Sequence, residues 1–266
     1  MLTNYHTHTN MCDGKNTAEE MVLSAIDKGF DSIGFSGHGY TDFDLRYCVK
    51  DMDKYISVIN GLKEKYKNKI QIYTGVEEDA SCFVNRADFD YIIGSSHYFN
   101  IDGLMYPIDC SADDFEKGIA MYNGDIMRLA EDYYIRFCEY ILRRKPDIVG
   151  HFDLITKYDE MGESRFLNNA DYIRLAEKYM GYALKSDCIF EVNTGAISRG
   201  YRKNPYPQEK LLHIINKNGG KVTLSSDCHN SDFLDCHFEE SKKMLKDIGF
   251  DGGYVLYNGE WKKDKF

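Results

Sequence analysis

Two histidines one residue apart, His6 and His8, close a short strand-like stretch near the start of the chain. Side chains alternate faces along a β-strand, so positions i and i+2 point the same way. Two neutral imidazoles leaving one strand end together are good ligands for a divalent transition metal. A lone His-x-His pair is weak evidence, but here ligand-type residues recur at the ends of later strand-like runs. Asp13 stands in the loop beyond the first run. His38 follows Ser36-Gly37, Glu77 follows Gly75-Val76, and His97 follows Ser95-Ser96. His151 and Asp153 follow Val149-Gly150, and Asp227 and His229 follow Ser225-Ser226. Six of the chain's eight histidines belong to this set, which argues against chance placement. The other two, His213 and His237, fall on expected helices or their edges and read as surface or packing residues.

The elements that must position this set follow from hydrophobic periodicity. Strands are expected over 2–6, 32–36, 71–76, 91–95, 147–150, 189–193 and 221–225, with a further short strand over 253–256. Thr17-Ala18-Glu19-Glu20 is a capping box that opens a helix running to about Lys28, with Gly29 as its stop. Further helices are expected over 51–67, 169–185, 207–217 and 238–247. The stretch 111–144 reads as one long helical region with a break at Asn123-Gly124. Short apolar runs alternating with amphipathic ones give an α/β protein. Seven main strands with intervening helices predict a (β/α)7 barrel related to the eight-stranded TIM barrel, whose active site lies at the C-terminal ends of the strands. No Pro/Gly/Ser-rich linker divides the sequence, so residues 1–266 are expected to form a single domain.

Composition narrows the function classes. The chain is 43% hydrophobic and 29% charged with a formal net charge of −10, so there is ample apolar material for a core and no basic stripe to suggest a nucleic-acid partner. Its eight cysteines are scattered and form no Cys-x-x-Cys pair, which removes a zinc ribbon or a thioredoxin-like motif. Cys12 and Cys228 adjoin candidate ligands but read as small buried hydrophobes. No apolar run is long enough for a membrane span and no signal peptide is evident, so a cytoplasmic enzyme with reduced thiols is expected.

The motifs His6-Thr7-His8-Thr9 with Asp13, Gly37-His38, Gly75-Val76-Glu77, Ser96-His97, Gly150-His151-Phe152-Asp153 and Ser226-Asp227-Cys228-His229 resemble, in this order, those of the PHP (polymerase and histidinol phosphatase) superfamily. Within it the chain is most similar to the stand-alone histidinol-phosphate phosphatases, through its length, Gly-His-Phe-Asp-Leu and Glu191-Val192-Asn193-Thr194. The resemblance implies a distorted (β/α)7 barrel holding three divalent metal ions (Zn, Mn or Fe). It implies His6, His8, Glu77 and Asp227 at the first ion, Glu77 as a bridge with His97 and His151 at the second, and Asp13, His38 and His229 at the third. Some family members carry His where this chain has Asp13, and a carboxylate there favours a harder ion such as Mn²⁺ or Fe²⁺ over Zn²⁺.

The activity so implied is hydrolysis of the phosphomonoester L-histidinol phosphate in histidine biosynthesis. Three divalent ions bring about +6 and three carboxylates return about −3, so the pocket is expected to be locally cationic inside an acidic protein. The leaving alkoxide needs a proton, for which Asp153 and His229 are both candidates. Arginine suits bidentate phosphate contacts. Arg165, Arg199 and Arg202 stand in loops on the expected face, and the resemblance favours Arg165 and Arg199. Tyr122 is a further candidate hydroxyl donor to phosphate. Three alternatives stay open: another PHP phosphoesterase acting on phosphotyrosyl protein, nucleotide or nucleic-acid ends, an amidohydrolase-type barrel, and a non-catalytic metal-binding module.

Overall fold

The structure, a computed structural model, describes residues 1–162 and 164–266. It begins with β1 (Thr3–Asn4), α1 (Ala18–Asp27), β2 (Ser32–Phe35), α2 (Met52–Tyr66), β3 (Gln71–Asp79) and β4 (Tyr91–Ser95). A hairpin of β5 (Tyr98–Ile101) and β6 (Leu104–Pro107) precedes α3 (Ala112–Met121), α4 (Ile126–Arg144) and β7 (Ile148–Val149). Then come α5 (Ala170–Ala183), β8 (Ile189–Asn193), the short α6 (Gly195–Ser198), α7 (Glu209–Lys217), β9 (Lys221–Ser225) and α8 (Phe238–Ile248). A second hairpin, β10 (Gly252–Tyr257) and β11 (Glu260–Lys265), follows.

Seven strands pair in parallel in the order β1-β2-β3-β4-β7-β8-β9. The seam between β9 and β1 is closed just past the strand ends. Thr7 bridges Cys228 in parallel, the His8 amide donates to the Cys228 carbonyl at 3.0 Å, and the Asn4 amide group donates to Ser226 Oγ at 2.6 Å. The result is the expected α/β, TIM-like barrel. β4, β8 and β9 have the expected ends, β3 runs three residues further than expected, and β1 and β7 are shorter.

Local chemistry accounts for the helix ends. Thr17 and Glu20 form the reciprocal capping box, with Thr17 Oγ1 accepting from the Glu20 amide at 3.2 Å. The expected break in 111–144 is real: Asn123 (φ 55°) and Gly124 (φ 79°) lie in the left-handed region between α3 and α4. On α4, Leu129, Tyr133, Phe137 and Ile141 recur every fourth position and are buried, with Phe137 against Phe152 of the loop after β7. Full burial of a side chain such as Phe137 contributes about 1.5–3 kcal/mol.

The lower interior of the barrel is an aromatic plug made of Tyr5, Tyr73, Tyr91 and Ile93, covered by Leu256 of β10 and by Trp261 of β11. Tyr91 donates to the Tyr5 carbonyl at 2.5 Å, and Tyr5 donates to the Leu256 carbonyl at 2.9 Å. Any Cβ at Gly34 or Gly75 would collide with the Tyr91 ring, so these glycines make room for the plug. Among the described residues no helix is long and apolar enough to cross a membrane.

Candidate metal centre

The opposite, C-terminal end of the barrel collects the histidines. His6 and His8 come from the extension of β1, and His38 from just past β2, where its backbone bridges that of Glu77 on β3. His97 follows β4, His151 follows β7, and Asp227 and His229 follow β9. Asp13 reaches in from the loop before α1.

The side chains converge in three overlapping groups. In the first, His6 Nε2 lies 3.2 Å from Glu77 Oε2 and 3.6 Å from Asp227 Oδ1. His8 Nε2 lies 3.5 Å and 3.2 Å from the same two oxygens. In the second, Glu77 Oε1 faces His97 Nε2 at 3.2 Å and His151 Nε2 at 3.1 Å, and Ser95 Oγ donates to it at 2.7 Å. In the third, Asp13 Oδ2 faces His229 Nε2 at 3.1 Å and His38 Nε2 at 3.7 Å. His38 Nδ1 also stands 3.0 Å from Glu77 Oε2, so this ring links the outer group to the inner ones.

These groups fit divalent ions. His6 Nε2, His8 Nε2, Glu77 Oε2 and Asp13 Oδ1 are buried and make no hydrogen bond. A buried polar atom left unpaired costs about 1–3 kcal/mol, and four such atoms facing common points require a partner. Zinc–nitrogen or zinc–oxygen bonds of about 2.0–2.1 Å in a tetrahedron put donor atoms about 3.3–3.4 Å apart. The first group has that spacing.

Electrostatics points the same way. Burial would raise the Glu77 carboxyl, but the His6, His97 and His38 imidazoles outweigh it and hold it well below the carboxylate range. Burial would likewise lower His97, yet Glu77 and Asp79 carry it up to about 10. His8 goes the other way, down to about 3, through burial and the neighbouring His229 and His38 rings. Protons held on His6, His38 and His97 by buried carboxylates stand where ions would bind, and an ion must displace them.

Orienting partners complete the centre. Glu191 Oε1 receives His6 Nδ1–H at 2.6 Å and Ser225 Oγ–H at 2.5 Å, while Oε2 receives the His151 amide at 2.8 Å. This fixes the tautomer of His6 so that Nε2 faces Glu77 and Asp227. Asp79 receives the His97 amide at 2.8 Å and lies 3.3 Å from its Nδ1. Asp79 sits two positions beyond Glu77 on β3, a same-face spacing that would have disclosed it. Glu191 is an inward carboxylate on β8 whose signal was equally present.

Of the loop candidates, the structure brings Arg199 to the centre. Its guanidinium donates to Asp227 Oδ2 at 3.1 Å and to the Asp227 carbonyl at 2.9 Å, and stands 3.0 Å from His229 Nδ1. It lines the cavity above the cluster. Four others are not brought there. Asp153 is fully buried below the cavity and accepts from the Gln208 amide at 3.0 Å: β7 ends at Val149, so strand alternation no longer applies at Asp153. Arg165 is paired to Glu116 of α3 at 2.6 Å, its loop held by the Asp159 carboxylate, which accepts the Arg165, Phe166 and Leu167 amides. Tyr122 donates to Asp132 on α4 at 2.6 Å. Arg202 is buried over the Tyr206 ring and donates to Thr156 Oγ1 at 2.7 Å. Cys12 Sγ is 3.6 Å from His8 Nδ1, and all eight cysteines are free thiols. His213 is exposed on α7, and His237 precedes α8 at its N-cap position without a side-chain capping bond.

The cavity over the cluster has a volume of about 220 Å³. Besides Arg199 and seven of the ligands, His6 and His8 lying beneath, it is lined by Asp109, Lys157, Tyr47, Tyr98 and Tyr201, none of which the sequence singled out.

A mononuclear or polynuclear histidine–carboxylate centre at the mouth of a seven-stranded parallel barrel defines a class of metal-dependent barrel proteins. The chain matches the PHP domain over residues 4–195 and belongs to that family. It is 27% identical to a Schizosaccharomyces pombe protein named a probable histidinol-phosphatase, over 96% of this chain and 89% of that one. It is 25% identical to the histidinol-phosphatase of Bacillus subtilis, over 85% and 92% of the two chains. Its fold is similar to that of the Lactococcus lactis histidinol phosphate phosphatase solved with zinc, L-histidinol and phosphate, with a TM-score of 0.74, 19% identity and coverage of 98% and 99%.

Proposed function

We propose that this chain is a cytoplasmic, metal-dependent phosphomonoesterase that hydrolyses L-histidinol phosphate to L-histidinol and phosphate in histidine biosynthesis, with residues 1–266 acting as one domain. The observation that carries the reading is the convergence of His6, His8, Asp13, His38, Glu77, His97, His151, Asp227 and His229 beneath a small cavity. Near full-length likeness to proteins named histidinol-phosphatases supports the substrate.

Three divalent ions are assigned to the cluster, with His6, His8, Glu77 and Asp227 at the first, Glu77, His97 and His151 at the second, and Asp13, His38 and His229 at the third. Bound there, such ions supply Lewis-acid activation of water and positive charge against phosphoryl oxygens. The carboxylate of Asp13 favours Mn²⁺ or Fe²⁺ over Zn²⁺ in the third position.

The chain's own residues do the rest. Glu191 and Asp79 hold the His6 and His97 rings in the orientation that presents Nε2 to the cluster. Arg199, at the cavity wall, offers its guanidinium edge to a phosphate oxygen, a charge-assisted contact stronger than a neutral hydrogen bond. Of the two groups considered for protonating the leaving oxygen, Asp153 does not line the cavity, and His229 does but is assigned to the third ion through Nε2 and faces the Asp227 carbonyl with Nδ1, so the role is given to neither. Arg165 and Tyr122 are paired with Glu116 and Asp132 and do not line the cavity.

The test is phosphate release from histidinol phosphate after reconstitution with Mn²⁺, Fe²⁺ or Zn²⁺. Turnover that is lost on chelation and restored by an ion is expected. Turnover of phosphotyrosine or nucleotides but not of histidinol phosphate, with every ion, would overturn the substrate assignment.

A further inference from the structure

The carboxylates facing the cavity differ in how fully they are used. Glu77, Asp13 and Asp227 belong to the cluster. Asp79 has one oxygen on His97 and the other on the Ser81 amide at 2.8 Å. Asp109, on the segment joining β6 to α3, is the exception. Its backbone carbonyl is held by Lys157 Nζ at 2.7 Å and by the Tyr158 hydroxyl at 2.8 Å. Those two bonds fix where its side chain projects. Of the carboxylate itself, only Oδ2 meets a protein donor, Lys157 Nζ at a long 3.3 Å, and among the described residues no donor reaches Oδ1. The side chain keeps 29% of its surface open, and Asp109 lines the cavity. Lys157 is itself restrained, lying over the Tyr201 ring 4.8 Å from its centroid.

A half-used carboxylate on a fixed backbone, set in the wall of a cavity whose floor takes a phosphate, is suited to a ligand that is anionic at one end and cationic at the other. We propose that Asp109 is a specificity-determining residue that accepts the ammonium group of an aminoalkyl phosphomonoester through Oδ1. This rests on the phosphomonoesterase reading above and deepens it, because the ammonium of histidinol phosphate is two carbons from the ester oxygen. In a recessed site such an ion pair is well placed to discriminate, since an uncharged analogue removes water from Oδ1 without giving it a donor. Lys157 holds the Asp109 backbone and half-neutralises the carboxylate in the absence of ligand.

The experiment compares kcat/KM of the ion-loaded enzyme for histidinol phosphate, and for phosphoethanolamine against ethyl phosphate, in wild type, Asp109→Asn and Lys157→Met, with thermal melting as the check on folding. For Asp109→Asn we expect kcat/KM to fall about 10- to 100-fold for both ammonium-bearing esters and less than about threefold for ethyl phosphate. For Lys157→Met, in which the Tyr158 hydroxyl still holds the Asp109 carbonyl, the preference for the ammonium ester should persist, and its loss there would show that Asp109 acts only through the pair and would overturn the proposal. An equal loss on all three esters, or no loss on the ammonium esters, overturns the proposal. If wild type ignores histidinol phosphate yet prefers phosphoethanolamine in an Asp109-dependent manner, the proposal stands and the substrate assignment fails.

Discussion

The aromatic plug and the inner ligands at the mouth, His6, His8, Glu77 and His151, are equally buried and chemically opposite. Along β3 the inward positions run Tyr73, Gly75, Glu77, and along β4 they run Tyr91, Ile93, Ser95, so the same two strands pass from aromatic plug to ligand cluster within three alternate residues. At the plug, the Tyr5 and Tyr91 hydroxyls are satisfied by protein partners. At the mouth, His6 Nε2, His8 Nε2 and Glu77 Oε2 are not. Burial therefore does not distinguish structure from function here, but hydrogen-bond completeness does. The plug is finished without a ligand, whereas the mouth holds its donors in place through Glu191 and Asp79 and leaves their working atoms unpaired.

Substitutions at the two ends should separate cleanly. The largest effect is expected for Glu77→Ala, which removes both oxygens that tie the first two groups together: turnover should fall by at least about a thousandfold and bound metal should drop by elemental analysis. Retention of activity within tenfold would show that the mouth is complete without it. Next, Tyr91→Ala at the plug should cost about 3–5 kcal/mol in urea unfolding while leaving kcat per folded molecule within about twofold. A kcat loss exceeding the stability loss would mean that the ends are mechanically linked. Glu191→Gln should weaken ion affinity by about 10–100-fold in chelator competition, with kcat largely recovered at saturating ion. Smaller again, Arg199→Ala should raise KM for histidinol phosphate about tenfold, consistent with loss of one charge-assisted contact. Arg165→Ala, paired away from the cavity, should change KM by less than about twofold, and a shift as large as that of Arg199→Ala would show that its loop closes over substrate.

What could be read in advance follows the same division. Strand ends carry a rigid two-residue period, so His6, His8, His38, Glu77, His97, His151, Asp227 and His229 were legible from spacing, and the structure brings them together, with Asp13 added from a loop. Asp153, Arg165 and Tyr122 were not, because a loop side chain goes where its backbone is tied. For Arg165 that tie is the Asp159 carboxylate, and for Tyr122 it is the helix pair around Asn123. The first hairpin and the returning strand of the second were missed, although each carries a recognisable turn, Asp102-Gly103 (φ 53° and 85°) and Asn258-Gly259 (φ 54° and 79°), whereas the strand over 253–256 was expected. Missing the first hid the cavity wall that bears Asp109.

The seam between β9 and β1 bears on how the molecule is made. Asn4 and Ser226 are 222 positions apart in the chain, yet their hydrogen bond and the adjoining Thr7–Cys228 bridge close the barrel. Contacts of such sequence separation form late and slowly, because loop-closure entropy is lost before they are gained. His6 and His8 stand on one side of this seam and Asp227 on the other. The first donor group therefore cannot exist in any intermediate whose seam is open, and ion uptake during refolding should report the final closing step rather than the formation of the sheet.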